Sequence, residues 1–381
     1  MARFAYGGQA LMEGVLMRGK DAIGVAVRGP DGRIFCTQER LDSALHRNRF
    51  ARAPFFRGVV LLYETLVIGT RWLMRSGSIS AAGEGVAMGR GTVAVTMLFT
   101  LGIAIGLFVI LPLLIAQGAT SGPLAGLLAS LGIEGALLGF IQHLIEALVQ
   151  IFLFVGYLLL VSRSGEIARV FRYHGAEHMT IHALEHNDPL TVAEVRKYPT
   201  AHPRCGTEFL VVFIIVSILL FSLIAGQDLV IRILGRIVLI PVIAAVSYEV
   251  LRWGARRRES RAVRWLFLPG IWLQAITTKQ PDDGMIEIAI AAMQEALAAN
   301  GETAPDGSLD PEREPMPDVQ ALAADQEARL DAEERAATAA LPDAPAPADG
   351  TGGGGTPAAD TPAADTPAAP GTPEGPAEDG R

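Results

Sequence analysis

The chain has 381 residues, half of them hydrophobic, with a mean hydropathy of +0.33 and a formal charge of −8. Those averages join two unlike materials: residues 302–381 hold 18 of the 40 acidic residues, four arginines and 13 of the 23 prolines with no aromatic side chain, a net of −14, which leaves residues 1–301 at +6. An ordinary soluble acidic enzyme and a collagen-like chain are excluded, and with only Cys36 and Cys205 present so is a disulfide scaffold.

In chain order, no apolar run of leader length follows Met1, so no cleaved signal peptide is expected. The segment GGQALMEGVLMRG, Gly7–Gly19, reads as a tight turn feeding a strand; its glycines and Glu13 leave open a second reading, backbone held close to a ligand. Ala22–Arg28 and Arg33–Glu39 alternate or are β-branched and flank Gly29-Pro30-Asp31-Gly32, which predicts a β-hairpin. Cys36 in that hairpin reads as a small buried hydrophobe, and a reducing cytoplasm argues against a Cys36–Cys205 disulfide. His46 reads as a surface residue. Phe55–Met74 is apolar but interrupted by Arg57, Glu64 and Arg71, which suits an interfacial helix, with a fifth membrane crossing as the alternative.

No charged residue occurs from Gly91 to Ile133, 43 positions. A hydrocarbon core of about 30 Å takes about 20 apolar helical residues to cross. Val93–Ala116, Gly135–Val161, Phe209–Ala225 and Leu229–Leu251 are therefore the expected transmembrane helices. The expected fold class is an all-α polytopic membrane protein with about four such helices, a small N-terminal β-hairpin region and a helical cytoplasmic loop. Its divisions are a cytoplasmic N-terminal region with hairpin and interfacial helix (1–90), two spans (91–161), a cytoplasmic loop (162–208), two further spans (209–252), a juxtamembrane segment with an amphipathic helix (253–301) and a disordered acidic tail (302–381).

Lysine and arginine set the orientation. Residues 40–90 carry eight arginines, 162–208 six Lys/Arg and 252–279 seven, while the connectors Gln117–Glu134 and Gly226–Asp228 carry none. The positive-inside rule then puts both termini and the 162–208 loop on the cytoplasmic side of the membrane. The basic residues follow the membrane edges, so the expected partners are the lipid bilayer and an anionic protein or lipid surface at the cytoplasmic face; sequence-specific nucleic-acid binding is not expected. Ionisable groups within spans are costly and usually paired. His143 and Glu146 in the second span match Arg236 in the fourth in depth, with Arg232 one turn away. An inter-helix ion pair is the plainer reading; a proton or substrate path, and hence a transporter, is the other. Glu249 is expected to face the loop or pair with Arg252.

The loop 162–208 holds the chemistry. In FRYHGAEHMTIHALEHNDP, His174, His178, His182 and His186 recur every four residues. At 100° per residue they spread over one helical face together with Glu177 and Glu185. Asp188-Pro189 ends the run, with Asp188 expected to cap a following short helix. From His174 to His186 the rise is about 18 Å, whereas a zinc–nitrogen bond is about 2 Å, so one ion cannot take all four. His174-Gly175-Ala176-Glu177-His178 has the H-x-x-E-H spacing in which two histidines hold zinc and the glutamate handles a water. His202-Pro203-Arg204-Cys205 adds two further ligand types. The candidate metal ligands are therefore His174, His178, His202 and Cys205, for zinc or another divalent transition metal, with Glu177 as candidate catalytic base. A closed His₃Cys set would be structural; an open set of three, with Glu177 or Glu185 beside it, would be catalytic. A His-rich helix lying on headgroups without metal is the remaining alternative.

Trp265–Ile276 contains Pro269-Gly270 and is too short to span, which suits an interfacial or re-entrant segment. In Met285–Ala299 the residues Ile286, Ile290, Met293 and Leu297 share one face, which predicts an amphipathic helix. The tail, with its TPAAD repeats at Thr356–Pro370 and the glycines 352–355, lacks the apolar surface to offset ordering entropy, apart from a possible short helix around Asp318–Ala340.

Taken with PGIWLQAITTKQPDDGMIEIAI at 269–290, the segments GGQALMEGVLMRG, FRYHGAEH (171–178) and HPRCGT (202–207) resemble, in order, the bacterial YqhQ-like membrane proteins, a family of proposed metal-dependent enzymes of unknown function; the resemblance covers roughly residues 3–298. It implies that His174, Glu177, His178, His202 and Cys205 are metal-site residues and that Glu13 and Arg18 belong to an N-terminal motif. Met179 stands where that family often has Lys and Glu208 where it usually has Ser, and His182 is no fixed part of its pattern. The function expected is a metal-dependent hydrolase, with zinc as the expected metal, at the cytoplasmic membrane boundary; the alternatives are a membrane scaffold with a structural zinc site and a transporter.

Overall fold

Alternating apolar residues in the first forty positions build a sheet with two buried faces. The computed structural model describes residues 6–41, 53–82 and 90–319 apart from 122, 204, 225–228 and 258–259, with scattered positions from 321 to 332. His46 lies outside the described residues, as does everything from 333 onward. Strands β1 (Gly7–Leu11), β2 (Gly14–Arg18), β3 (Ala22–Arg28) and β4 (Ile34–Arg40) run as an antiparallel meander, and β5 (Glu314–Pro315) adds to β4 in parallel. The expected hairpin is thus β3–β4, with register Val25↔Thr37 and Val27↔Phe35. Gly7–Gly19 is a second hairpin whose turn, Met12-Glu13, puts Glu13 at φ 52. The single hairpin expected here is corrected to a five-stranded sheet.

Period two divides the sheet's side chains. Leu11, Leu16, Ile23, Val25 and Val27 face helix α1 (Phe56–Ala82), meeting Trp72 and Ile79. Val15, Met17, Ala26 and Cys36 face α11 (Asp283–Ala299) and α6 (Gly165–His186). Helix α11 carries the face expected of it: Ile286, Ile290, Met293 and Leu297 are at most 1% exposed. Its other side is buried too, through Ile288, Ala289, Ala292 and Ala296, because it lies between the sheet and α6. Its six large apolar side chains contribute on the order of 10 kcal/mol by burial, before ordering entropy. Close approach is built in at Gly24, where an added Cβ would lie 2.2 Å from the backbone nitrogen of Ala296. Asp282 starts α11 by accepting from Met285 N at 2.9 Å.

Residues 302–322 do not behave as the expected tail. Met316, Val319 and the buried Leu322 pack on the α1 face of the sheet, and described positions from 319 to 332 are helical. Helix α1 runs 27 residues, beyond Met74 to Ala82, and binds the sheet through ion pairs from Arg71 to Glu39 and from Glu64 to Arg18.

The remaining helices carry apolar surface outward. Helix α2 (Arg90–Ile105) passes through a π turn (Gly106–Ile110) into α3 (Leu111–Ser121); α4 (Pro123–Ser130) is short, and α5 (Gly135–Val161) is long. After α6 come α7 (Val192–Val195), α8 (Gly206–Ser222), α9 (Leu229–Ala255) and α10 (Arg261–Thr277). Among the described residues, three helical stretches, Ala94–Ser121, Leu137–Val161 and Leu234–Gly254, are long and apolar enough to cross a membrane. Side chains such as Leu98, Phe99 and Phe152 are about 70% exposed, a surface that suits lipid and not water. Helix α8, where another span is expected, is equally apolar but has 17 residues, about 25 Å of rise. Trp265–Ile276 lies within α10, which packs on α8 and leaves Trp265 and Trp272 largely exposed.

Candidate metal centre

Helix α6 delivers the histidines. It ends at Asn187, which adopts φ 59 as a left-handed C-cap. The next helix begins three residues later than expected: Thr191, and not Asp188, caps it by accepting from Glu194 N. Gly175 lets the chain after α10 lie against α6, since a Cβ there would fall 2.1 Å from the Lys279 carbonyl oxygen. The 202–205 segment is a turn closed by Cys205 N donating to His202 O at 3.3 Å, and Cys205 then caps α8. Gln274 of α10, fully buried, holds this turn from both sides: its Oε1 accepts from His202 N at 2.9 Å and its Nε2 donates to His202 O at 3.0 Å.

Among the described residues two groups of potential ligand atoms result, each with all its members within 4.8 Å of one another. His174, His178 and Cys205 form the first; His182, Glu185 and His202 form the second. Three of the four expected ligands therefore converge, while His202 turns to the next step of the staircase, its ring 4.4 Å from that of His182 and 5.6 Å from that of His178. His186 joins neither; its Nδ1 donates to its own helix at His182 O, and its ring lies against Tyr198.

Ring orientation follows from carbonyl partners, which can only accept. His174 Nδ1 donates to Thr277 O at 2.9 Å and His178 Nδ1 to Thr200 O at 2.6 Å. Both Nε2 lone pairs are left facing the group: His174 Nε2 is 3.3 Å from Cys205 Sγ, and Glu177 Oε2 is 3.8 and 3.6 Å from the Nε2 atoms of His174 and His178. Buried His178 Nε2 makes no hydrogen bond among the described residues. A histidine whose second ring nitrogen is fixed by a backbone carbonyl is the arrangement metal ligands use.

Burial governs the charges. It depresses His178 to a pKa of about 2, helped by neighbouring His174, so this imidazole is neutral at pH 7, as a ligand must be. It raises the Cys205 thiol, and it pushes Glu177 up to about 8 against the lowering influence of His174 and of the Gly8 backbone N–H. Gly8 is the glycine the site needs, because a Cβ there would lie 2.8 Å from Glu177 Oε1. The turn reading of Gly7–Gly19 holds, and the segment also brings backbone against the Glu177 side chain. Glu13 accepts from Arg169 and Tyr173 and so pins the hairpin to α6. Gln274, Thr200, Thr277 and Gly8 carried no sequence signal of this role beyond lying in or beside the motifs.

An open cleft of about 440 Å³ reaches Cys205 from between α1, α8 and α9, lined by Leu61, Leu62, Phe209 and Leu251 with Glu208 and Arg252. Glu249 binds Arg57, whose Nε donates at 2.7 Å, with Arg252 adding a weaker electrostatic attraction; sequence separation of 192 hid the main partner. The deep cluster assembles as depth suggested: Glu146 pairs with Arg236 across helices and lies 3.4 Å from His143. The Arg232 side chain lies outside the described residues. Cys36 and Cys205 are both free and buried, and burial raises Cys36 to about 12.

Comparison with known proteins agrees with the motifs. The family described as "Protein of unknown function (DUF1385)" matches residues 53–299. The uncharacterized protein YqhQ of Bacillus subtilis (strain 168) is 33% identical over 309 residues, covering 77% of this chain and 92% of the relative. No solved structure matches significantly. With the histidine and cysteine motifs inside the matched stretch, the chain belongs to the DUF1385, YqhQ-like family.

Proposed function

We propose that this is a metal-dependent hydrolase of a bacterial inner membrane, with zinc or a similar divalent ion held by His174, His178 and Cys205 on the cytoplasmic side. One observation carries the reading: two imidazoles with their Nδ1–H groups fixed by carbonyls turn both Nε2 atoms toward one thiol and one buried carboxylate. Three protein ligands leave a coordination position open, the pattern of catalytic and not structural zinc. A bound ion would act as a Lewis acid, polarising a carbonyl or phosphoryl oxygen and making water more acidic. Burial keeps Glu177 protonated in the metal-free protein; the charge of a bound cation would lower it to the carboxylate, which would accept a proton at Oε2 and return it to a leaving group. The cleft between α1, α8 and α9 supports entry from the membrane side, and the apolar α8 serves as a fourth crossing that brings both termini to the cytoplasm, in keeping with the Lys/Arg asymmetry.

The test is metal analysis of detergent-purified protein with Glu177→Gln and His178→Ala. Loss of metal in His178→Ala, with metal retained but function in a deletion strain lost in Glu177→Gln, is the expected result. No metal in the parent protein sinks the reading, and full complementation by Glu177→Gln removes the general base and leaves a structural zinc in a membrane scaffold.

A further inference from the structure

The H-x-x-E-H spacing occurs twice on α6: His174-Glu177-His178, then His182-Glu185-His186 eight residues later. The second copy is not used in the same way, since His186 turns back to its own helix. His202 arrives from the turn in its place, whereas in the first copy both histidines are kept and Cys205 joins them. We infer that His182, Glu185 and His202 form a second metal site, next to the first, for a divalent first-row transition ion.

The three donor atoms lie within 4.8 Å of one another, with His202 Nε2 3.5 Å from Glu185 Oε2. His182 donates its Nε2–H to Ala201 O at 3.0 Å, which fixes the ring and directs the Nδ1 lone pair away from that carbonyl. Stacking on Tyr198, with planes 6° apart, holds the same ring from its face. His202 is 3% exposed, and its backbone is clamped by Gln274, so its imidazole is placed before any ion arrives. The set is two imidazoles and a carboxylate without sulfur, harder than the Cys205 set and suited to zinc, manganese(II) or iron(II). Glu185 reaches solvent, so the second site opens to water, whereas at the first His178 and Glu177 are buried. As a metal site this stands alone; as half of a two-metal active centre it rests on the function proposed above.

Zinc titration and metal content of full-length detergent-solubilised protein decide it, with cobalt(II) as a spectroscopic probe. Wild type should hold two equivalents. His182→Ala with Glu185→Gln should hold one and keep the near-ultraviolet thiolate-to-cobalt band; Cys205→Ser should also hold one and lose that band. Glu185→Gln alone, a substitution at a solvent-reaching position, should weaken the second equivalent at least about tenfold while leaving the fold intact. One equivalent in wild type that Cys205→Ser abolishes and His182→Ala with Glu185→Gln leaves in place, or a second equivalent untouched by His182→Ala with Glu185→Gln, overturns the inference. Loss of metal only in those two variants, with Cys205→Ser unchanged, overturns the first site and leaves the second standing.

Discussion

Gln274→Leu tests how the turn carrying His202 and Cys205 is held. The carboxamide satisfies both backbone groups of His202, and Gln274 has no exposed surface. Removing it strands one buried donor and one buried acceptor, about 1–3 kcal/mol each. The limit of about 2–6 kcal/mol is reached only if the turn stays in place. Ala201 and Pro203 on either side are exposed, so the turn can swing toward water, which brings the expected loss to about 2–3 kcal/mol. The escape has a consequence: a turn that swings out moves both candidate ligands, so on the proposed function zinc affinity should drop about 10- to 100-fold, as for other groups that position ligands. Competition against a chromophoric chelator measures the affinity, and denaturant unfolding the stability. Gln274→Glu keeps an acceptor for His202 N–H but sets a carboxylate against His202 O, so it should not rescue. Zinc affinity within about twofold of wild type in Gln274→Leu, with an unshifted midpoint, would refute the idea that this side chain positions the turn.

Four further outcomes follow from the same structure. Glu146→Gln or Arg236→Met alone should destabilise by about 3 kcal/mol by leaving one charge buried, and the double variant should recover most of it; equal or additive losses would remove the ion pair as a packing element. Gly175→Ala should cost at least about 1–3 kcal/mol because its Cβ meets the Lys279 carbonyl, whereas Gly165→Ala on the same helix, with open space around it, should be neutral; a tolerated Gly175→Ala contradicts the close approach. Truncation after 301 should raise protease sensitivity of the β4 edge relative to truncation after 332, since only the longer chain keeps β5 and Leu322; equal sensitivity would return 302–332 to a dispensable tail. In metal-free protein the His178 contribution, full above its ordinary 6.5, is lost as pH falls toward about 2, and that of Glu177, full below its ordinary 4.5, is lost as pH rises through about 8, so Glu177→Gln should flatten the stability loss between pH 6.5 and 8; an unchanged profile refutes the buried acid.

What the residues disclosed unaided depended on how local the signal was. The β3–β4 hairpin was legible because its turn and alternation are contiguous, and Ile286, Ile290, Met293 and Leu297 because one face repeats at 3.6 residues. Strands β1 and β2 were read only as a turn feeding a strand, since Gly7-Gly8-Gln9 offers no β-branched pattern. Strand β5 is two residues long and pairs across 279 positions. Two-sided burial of α11 was hidden because its second face is partly alanine, small enough for the sheet to approach yet weak as a hydrophobic signal. In the site, spacing on one helix pointed to His174, Glu177 and His178, and the short HPRC motif to Cys205. Which step of the staircase His202 serves depends on the path of a turn and on Gln274, 72 residues away, and neither is encoded in spacing.

That path also decides between one ion and two. The hydrogen bond from Cys205 N to His202 O makes 202–205 a turn, with its end Cα atoms within about 7 Å. His174 and His182 are two helical turns apart, about 12 Å along α6. A short turn set beside that length can serve both steps only by sending its two side chains in opposite directions along the helix, Cys205 to His174 and His202 to His182. The ring contacts record the outcome: His174 to His178 at 4.4 Å, His178 to His202 at 5.6 Å, His202 to His182 at 4.4 Å. With zinc–nitrogen bonds of about 2 Å, a chain of four rings is longer than one coordination sphere. The closed His₃Cys set would need His202 to fold back past His178, against the hold of Gln274. This geometry supports the proposed open three-ligand set beside Glu177 over the closed one, and it groups His202 with His182 and Glu185.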